Sequence, residues 1–191
     1  MMKKYFVLVS TLVLSACAAT PPAPLALMPT AVLTSQPWAH NKTLNLTCVD
    51  QAPNSYIAVI DNGSTENVEV IQPQQPLSLT LRHVLALQLT GQGFSISNNA
   101  TSTMAVTVEK ALVTIKQGLV EYNMRSELQL QLTVNTPNGQ FIKHYSGNSS
   151  REDALTASNK DIAISMNKLI NSVLTEVAND SELNKYLTEN I

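Results

Sequence analysis

Charge is scarce in this sequence. Acidic and basic residues together make up 14% of its 191 residues, and the formal net charge is −2. No run of lysine or arginine is present that could neutralise a phosphate backbone, which argues against nucleic-acid binding. Apolar residues make up 44%, which suffices for a hydrophobic core and differs from the composition of disordered chains. We therefore expect a single folded domain.

Catalytic and metal-binding motifs are absent as well. His40, His83 and His144 have no partner at metal-ligand spacing, and the chain lacks nucleophile-elbow, Ser-x-x-Lys, P-loop and dinucleotide-binding patterns. Glu121 and Glu127 share a predicted strand face, but at about 3.3 Å per residue they lie roughly 20 Å apart. That separation is too large for a glycosidase carboxylate pair. The sequence predicts a non-enzymatic protein with no metal and no cofactor.

The chain has only two cysteines, and the first follows a short lysine-containing start and an apolar stretch over residues 5–14. This stretch is too short for a membrane span, which needs roughly 20 residues. Leu14-Ser15-Ala16-Cys17 resembles a lipobox, so residues 1–16 are predicted to be a lipoprotein signal peptide and Cys17 to be acylated. Ordinary secretion is the alternative, because Ala16-Cys17-Ala18 also satisfies a small-x-small cleavage rule.

The compartment follows from this prediction. Position 18 is alanine rather than the aspartate that commonly retains lipoproteins in the inner membrane, so we expect anchoring in the outer membrane, facing the periplasm.

Once Cys17 is acylated, Cys48 cannot form an internal disulfide. We interpret Cys48 as a small buried apolar residue.

Residues 17–37 are predicted to form the acylated cysteine and a proline-rich tether. Residues 18–37 hold five of the nine prolines and no charge. At about 3.1 Å per residue, a polyproline-like chain of this length could reach about 60 Å. Several apolar side chains in it suggest that part of the segment lies against the domain.

Strands are predicted wherever apolar and polar residues alternate. This applies to residues 43–49, 104–115, 120–134 and 141–146, and a hairpin is predicted around residues 61–63. The apolar parity switches near Glu109-Lys110, which indicates a β-bulge. The long alternation over residues 120–134 is typical of an antiparallel sheet with one buried face.

Helical spacing of apolar residues predicts a helix over residues 77–90 and another over residues 162–177. Ser158 with Asp161 forms a variant of the capping box before the second helix. Asp180 or Ser181 is predicted to cap a short last helix. From this order of elements, residues 38–191 are expected to form one α+β domain. Its fold class is a two-layer sandwich, with an antiparallel sheet of long central strands and helices packed on one face.

Several segments resemble the YajG family of Gram-negative lipoproteins. The specific strings are Gln117-Gly118-x-Val120-x-Tyr122-Asn123 and Ala157-Ser158-Asn159-Lys160-x-Ile162-Ala163. The lipobox, a leucine-rich helix before Gln92-Gly93-Phe94, Asn138-Gly139 and Tyr145 match in the same order. Residues 50–72 match poorly. The resemblance implies an outer-membrane lipoprotein and supplies no catalytic residues.

Gln117 and Asn123 are candidate binding residues in the first string. Their amide groups could face a ligand or partner at one edge of the sheet. The structural alternative is that Gly118 makes a turn into the long strand while Tyr122 packs inward.

Asn159 and Lys160 are the candidates in the second string, in the first turn of the predicted helix. A basic side chain there is slightly unfavourable against the helix dipole. We therefore interpret Lys160 as meeting an anion, such as a peptidoglycan carboxylate or a lipid phosphate.

These features predict a lipoprotein that acts as a non-enzymatic binding or accessory module in the periplasm. Its partners would be the membrane, through Cys17, and an envelope protein or peptidoglycan. The polar face of residues 123–133 is either solvated surface or a docking surface. The alternative function is a small-ligand or lipid carrier in envelope transport, which would need an apolar cavity between the sheet and the helices.

Overall fold

The computed structural model describes residues 23–33, 36–63 and 68–191. The predicted signal peptide and Cys17 lie outside the described residues. The described elements are, in chain order, β1 (Thr43–Asp50), β2 (Ala58–Asp61), β3 (Val68–Ile71), α1 (Leu77–Gly91), β4 (Ser95–Ile96), β5 (Thr103–Gln117), β6 (Glu121–Thr136), β7 (Gly139–Ala154), α2 (Asn159–Asn179) and α3 (Ser181–Asn190).

Strand β5 organises the sheet, because three strands pair with it. One edge of β5 pairs antiparallel with β6, and β6 in turn pairs antiparallel with β7. The other edge pairs in parallel with β1 along residues 103–108 and with β2 along residues 113–116. The short strand β4 pairs in parallel with β1, and β3 pairs antiparallel with β2.

The α+β class is confirmed, but the sheet is mixed rather than antiparallel, and it curls into a half-barrel rather than one layer of a flat sandwich. The chain between β2 and β5 runs back through β3, which is antiparallel to β2, and then through α1. Because this connection returns the chain to the starting end of the sheet, β5 runs parallel to β2 and to β1. Alternation shows which face of a strand is buried and does not show the direction of its neighbour.

One face of the sheet, here called the inner face, is buried under the helices. Every second residue of β6 from Tyr122 to Val134 is buried, and all of these side chains except Ser126 join those of all three helices in one hydrophobic core. In β5 the ladder shifts between Val108 and Lys110. The extra residue, Glu109, lets both Val108 and Ala111 face inward. The predicted bulge is therefore confirmed.

Strand β7 is longer than its sequence pattern predicts. Alternation supports only residues 141–146, yet the strand runs from Gly139 to Ala154. The second half is rich in serine and other polar residues and has no apolar stripe of its own. It is extended because β6 pairs with it along its whole length.

The predicted helix caps are present. Ser158 Oγ accepts the N–H of Asp161 at 3.3 Å, and an Asp161 carboxylate oxygen accepts the N–H of Ser158 at 3.1 Å. This is the reciprocal capping box that the sequence predicted for α2. Of the two residues proposed as the cap of α3, Asp180 has that role.

Asp180 also ties α3 to β7. Its carboxylate accepts the N–H groups of Glu182 (2.9 Å) and Leu183 (3.2 Å), accepts the hydroxyl of buried Tyr145 (2.7 Å), and pairs with Lys143 (2.8 Å). Burial by itself would raise the pKa of Asp180. The hydrogen bonds from Lys143, Tyr145 and the two backbone groups outweigh burial and lower the pKa to about 2.

Replacement of Asp180 by alanine should lower the free energy of unfolding at neutral pH. Loss of the cap costs about 1 kcal/mol, and a Tyr145 hydroxyl without an acceptor costs about 1–3 kcal/mol more. The folded-state pKa of about 2 lies below the ordinary value of 3.8. The charge-dependent stabilisation is therefore complete above the ordinary value and is lost as the pH falls towards 2. Urea unfolding across this range measures it.

Glu182→Ala is the matched control, because it removes only the exposed partner of Lys143. We expect it to change the free energy of unfolding by less than about 0.5 kcal/mol. A difference between the native chain and Asp180→Ala that stays constant from neutral pH to the acid limit would contradict the role assigned to the carboxylate.

Candidate functional site

Residues 23–33, which belong to the predicted tether, lie against both α1 and α2. Leu25 and Leu27 are buried in the core. The backbone of Leu25 donates to Gln72 O and accepts from Gln74 N, each at 2.8 Å. The predicted tether therefore contributes an ordered, packed segment to the domain.

Two asparagines of α2 hold this segment. Asn167 Oδ1 accepts the N–H of Met28, and Asn171 Oδ1 accepts the N–H of Thr30, both at 2.9 Å. Four residues of helix rise about 6 Å, and two residues of extended chain span about 6 Å, so the two spacings match. Sequence reasoning missed these residues, although asparagines four apart on one helix face were a visible signal.

The four predicted binding residues all lie at one end of the domain. Gln117 ends β5, Asn123 is near the start of β6, and Asn159 and Lys160 begin α2. We call this end, formed by residues 117–123 and 154–160, the turn end. Asn159 Nδ2 donates to the carbonyl oxygen of Ala23 at 3.1 Å, so the packed N-terminal segment begins at the turn end.

The Gln117 side chain links the two connections at the turn end. Its Nε2 donates to the carbonyl oxygens of Gly118 (3.0 Å) and Leu155 (2.9 Å), and its Oε1 accepts the N–H of Ala157 (3.2 Å). Gly118 N–H donates to Glu121 O at 2.8 Å, and a Cβ on Gly118 would lie only 2.9 Å from that oxygen. These contacts, with Tyr122 buried, support the structural alternative in which Gly118 makes the turn and Tyr122 packs inward.

Asn123 and Lys160 lie nearer to solvent. Asn123 Nδ2 donates to Glu152 Oε1 at 2.7 Å, beside an open depression of about 240 Å³ that Lys116 and Glu121 also line. Lys160 is exposed on the first turn of α2. The structure thus brings the four predicted residues to one end, with Gln117 and Asn159 engaged by backbone groups. Their role in binding a ligand remains a prediction.

Leu155 is strained at the turn end. Its φ is +73°, in the left-handed region, and its side chain is 78% exposed. An L-residue other than glycine pays roughly 1–2 kcal/mol for this conformation. The backbone is held there because Leu155 N–H donates to Val120 O at 2.9 Å while Leu155 O accepts from Gln117.

A groove of about 500 Å³ runs beside the turn end, between α2 and the second half of β7. Its lining residues are Asn148, Ser149, Ser150, Arg151, Ile164, Ser165, Lys168, Leu169 and Ser172. Helix and strand touch at Gly147, where a Cβ would lie 2.7 Å from Leu169 Cδ1. On the side of this contact towards Arg151, the space between them opens.

Hydroxyl and cationic groups line this groove. Ser165 Oγ lies 2.7 Å from the Oγ of fully buried Ser126. Arg151 forms a salt bridge with Asp153, and hydrogen bonds from Arg151 and from the Ala154 N–H lower the pKa of Asp153. Lys168 is exposed at the rim. The groove therefore offers hydroxyl groups and positive charge beside the apolar side chains of Ile164 and Leu169.

The edge of β7 that borders the groove has free backbone groups. Within the described ranges, β7 pairs with β6 alone. Thr136 and Gly139 pair across a two-residue turn, so this pair exchanges both backbone hydrogen bonds, and the register is constant along the ladder. The odd-numbered residues of β7 therefore bond to β6, and the N–H and C=O groups of Asn148, Ser150 and Glu152 point to the open edge.

The remaining reactive groups stand apart from this end. Cys48 is partly buried, and burial raises the pKa of its thiol to about 12, with Arg82 opposing the shift. His144 Nδ1 lies 3.1 Å from a Glu109 carboxylate oxygen on the outer face. Across residues 23–33, 36–63 and 68–191, no cluster of three or more metal-ligating side chains is found. No helix in these ranges has the length and apolar character needed to span a membrane.

A family model described as an uncharacterized lipoprotein matches residues 29–188, which is most of the chain. The chain belongs to the YajG family of lipoproteins. It is 25% identical to the uncharacterized lipoprotein YajG of Escherichia coli strain K12 over 190 residues, which cover 98% of this chain and 97% of that protein. The resemblance noted in the sequence is thereby confirmed.

Two solved structures share the fold of this YajG-family chain. A DUF330-family protein from Xanthomonas campestris superposes with a TM-score of 0.58 at 11% identity, covering 82% of this chain and 93% of that one. A second, uncharacterized protein superposes with a TM-score of 0.51 at 10% identity, covering 82% and 97%. Both establish the fold alone.

Leu155→Asn should raise the free energy of unfolding of this YajG-family chain by up to about 1 kcal/mol, because asparagine tolerates the left-handed conformation better than leucine. Denaturant unfolding measures the change. Leu119→Asn is the matched control, since Leu119 is also exposed and has no positive φ. An equal effect of the two substitutions would show that relief of backbone strain is not the cause.

Proposed function

We propose that this YajG-family chain is a non-enzymatic lipoprotein, anchored through acylated Cys17 in the outer membrane, that binds an extended segment of a partner protein in the periplasm. Membership of a lipoprotein family and the lipobox support the anchor. Two or more acyl chains give durable anchoring, because each buried methylene contributes about 0.8 kcal/mol.

The single observation that carries the binding role is the open half of β7. The backbone groups of Asn148, Ser150 and Glu152 point away from β6 and face the groove beside α2. An extended peptide can pair with such an edge, since its own N–H and C=O groups complete the ladder. Glycan strands lack this regular backbone pattern, so a peptide is the better match.

The rest of the β7 edge is protected, which makes the open half stand out. Near the start of the strand, Lys143 is inward-facing and pairs with Asp180 and Glu182 of the α3 start. At Gly147, α2 crosses against the strand. Natural sheets commonly protect their edges with inward charges and covering helices. About five residues remain open, which at about 3.3 Å per residue is room for a strand of similar length.

The groove also indicates the character of the bound segment. Side chains of an added strand would point alternately towards the inner and outer faces of the sheet. Those pointing inward would meet serine hydroxyls and the apolar side chains of Ile164 and Leu169, with Lys168 at the rim. A segment that combines polar or acidic side chains with an apolar one suits these neighbours.

The packing between sheet and helices favours binding over carriage. Met124, Leu128 and Leu130 of β6 are almost fully buried, as are Met166 and Ile170 of α2. A lipid or small-ligand carrier needs an apolar cavity between the sheet and the helices. Here these side chains fill the space between the two layers.

Ser150→Pro should abolish partner binding and leave the fold intact. The Ser150 N–H points to the open edge, and proline is tolerated on an edge strand where its missing N–H faces away from the ladder. Ser150→Ala keeps the N–H and is the matched control. A photoreactive residue at Ser172, in the groove, would be cross-linked in intact envelopes with each variant.

The expected result is a protease-sensitive cross-link that Ser150→Ala retains and Ser150→Pro loses, with similar thermal unfolding of both variants. Cross-links that both variants retain would exclude strand addition. Cross-links that only a muramidase releases would identify peptidoglycan as the partner and would also overturn the proposal.

Cys17→Ser should abolish acylation and release the chain from membranes, because the thiol is the proposed acceptor of the lipid. Labelling with palmitate and sedimentation of envelopes measure the two effects, and Cys48→Ser serves as the control that keeps both. Persistent sedimentation of Cys17→Ser, together with an unlabelled parent chain, would disprove the anchor.

A further inference from the structure

We propose that Leu119, Val120 and Leu155 insert into the surface of the same membrane that holds Cys17. This inference rests on the proposed anchoring and adds to it an orientation of the domain. The occupant of the apolar surface is the boundary between lipid headgroups and acyl chains.

The three side chains form one apolar tip at the turn end. Leu119 is fully exposed, and Val120 and Leu155 are 74% and 78% exposed. The N–H of Leu155 donates to Val120 O at 2.9 Å, so the two connections present their side chains together. A cluster of exposed, contiguous large apolar side chains indicates an interaction surface, whereas scattered ones do not.

The tip is also held rigidly. Gly118 N–H to Glu121 O closes a tight turn, and Leu119 and Val120 are its two central residues. The Gln117 side chain joins this turn to the carbonyl group of Leu155, and this bond helps to hold the left-handed backbone of Leu155 in place. A pre-formed projection loses little conformational freedom when it enters a lipid surface.

The length of the chain before Ala23 indicates what covers the tip. Six residues lead from Cys17 to Ala23, and at no more than about 3.6 Å each they span at most about 22 Å. Ala23 O is bonded to Asn159 Nδ2 at the turn end. Leu155 is four residues from Asn159, at most about 14 Å by the same measure. The anchor therefore keeps the tip within reach of the bilayer.

The direction of the N-terminal segment supports the same orientation. From Ala23, the segment passes Asn167 and then Asn171, which lie progressively further along α2 from the turn end. The described chain therefore begins, at Ala23, at the turn end. Interfacial apolar side chains typically enter about 5–10 Å into the boundary region, which suits a tip of two adjacent turns.

The test places a tryptophan at the tip of the full-length, acylated chain. Trp38, which packs on Phe94, is first changed to phenylalanine, and Leu119→Trp is then compared with Ile142→Trp. Ile142 is exposed and lies opposite Thr133 on the ladder, about 40 Å along the strands from the turn at about 3.3 Å per residue. Both chains are reconstituted in phosphatidylethanolamine–phosphatidylglycerol vesicles that contain brominated acyl chains.

We expect bromine to quench most of the fluorescence of the Leu119→Trp chain, with a blue shift of its emission, and to leave the Ile142→Trp chain unchanged. The mass of the Cys17 peptide reports acylation in the same preparations. Acylated, vesicle-bound protein with equal quenching in both chains would overturn the insertion and leave the anchor standing. Protein without acyl groups that stays out of the vesicles would overturn both. A blue shift that depends on protein concentration in detergent alone would assign the tip to a second copy of the chain.

Discussion

The pairing of β5 on both edges is the constraint on which the rest of the domain depends. Its antiparallel edge carries β6 and, through it, β7. Its parallel edge carries β1 and β2 one after the other. The bulge at Glu109 keeps both halves of β5 facing the same core although the parity of the sequence changes there. Without that extra residue, Ala111 and Val113 would face solvent, and one half of the sheet would lose its contact with the helices.

The sequence predicted those parts of the fold whose cause is local. Alternation in β6, the parity switch at Glu109 and the box of Ser158 with Asp161 each depend on residues a few positions apart, and each is confirmed. The parallel neighbours of β5 could not be predicted, because β1 alternates in the same way beside a parallel or an antiparallel partner. A helix between strands was the available hint. The second half of β7 lacked any pattern, since its partner strand imposes its conformation.

The candidate site shows the same division between local and long-range causes. The two family strings contain Gln117 and Asn159, which the fold brings together at the turn end. What these amides contact, the carbonyl groups of Leu155 and Ala23, depends on chain segments that are distant in sequence. The tip residues Leu119 and Leu155 are 36 positions apart and only the fold unites them. The open edge of β7 likewise requires knowledge of which strands pair, because no single residue of it is unusual.

The hydrogen bonds from Asn167 and Asn171 to the N-terminal segment have a mechanical consequence. The segment runs parallel to α2. A pull on the chain at Ala23, directed out of the turn end, therefore acts along the helix and across each of these bonds. Such a load is shared by the side-chain bonds, by the backbone bridge at Leu25 and by the buried Leu27 at the same time. Bonds loaded together in shear resist more force than bonds that open one by one. The domain can therefore take tension from the proposed anchor without residues 23–33 being peeled away from the helices.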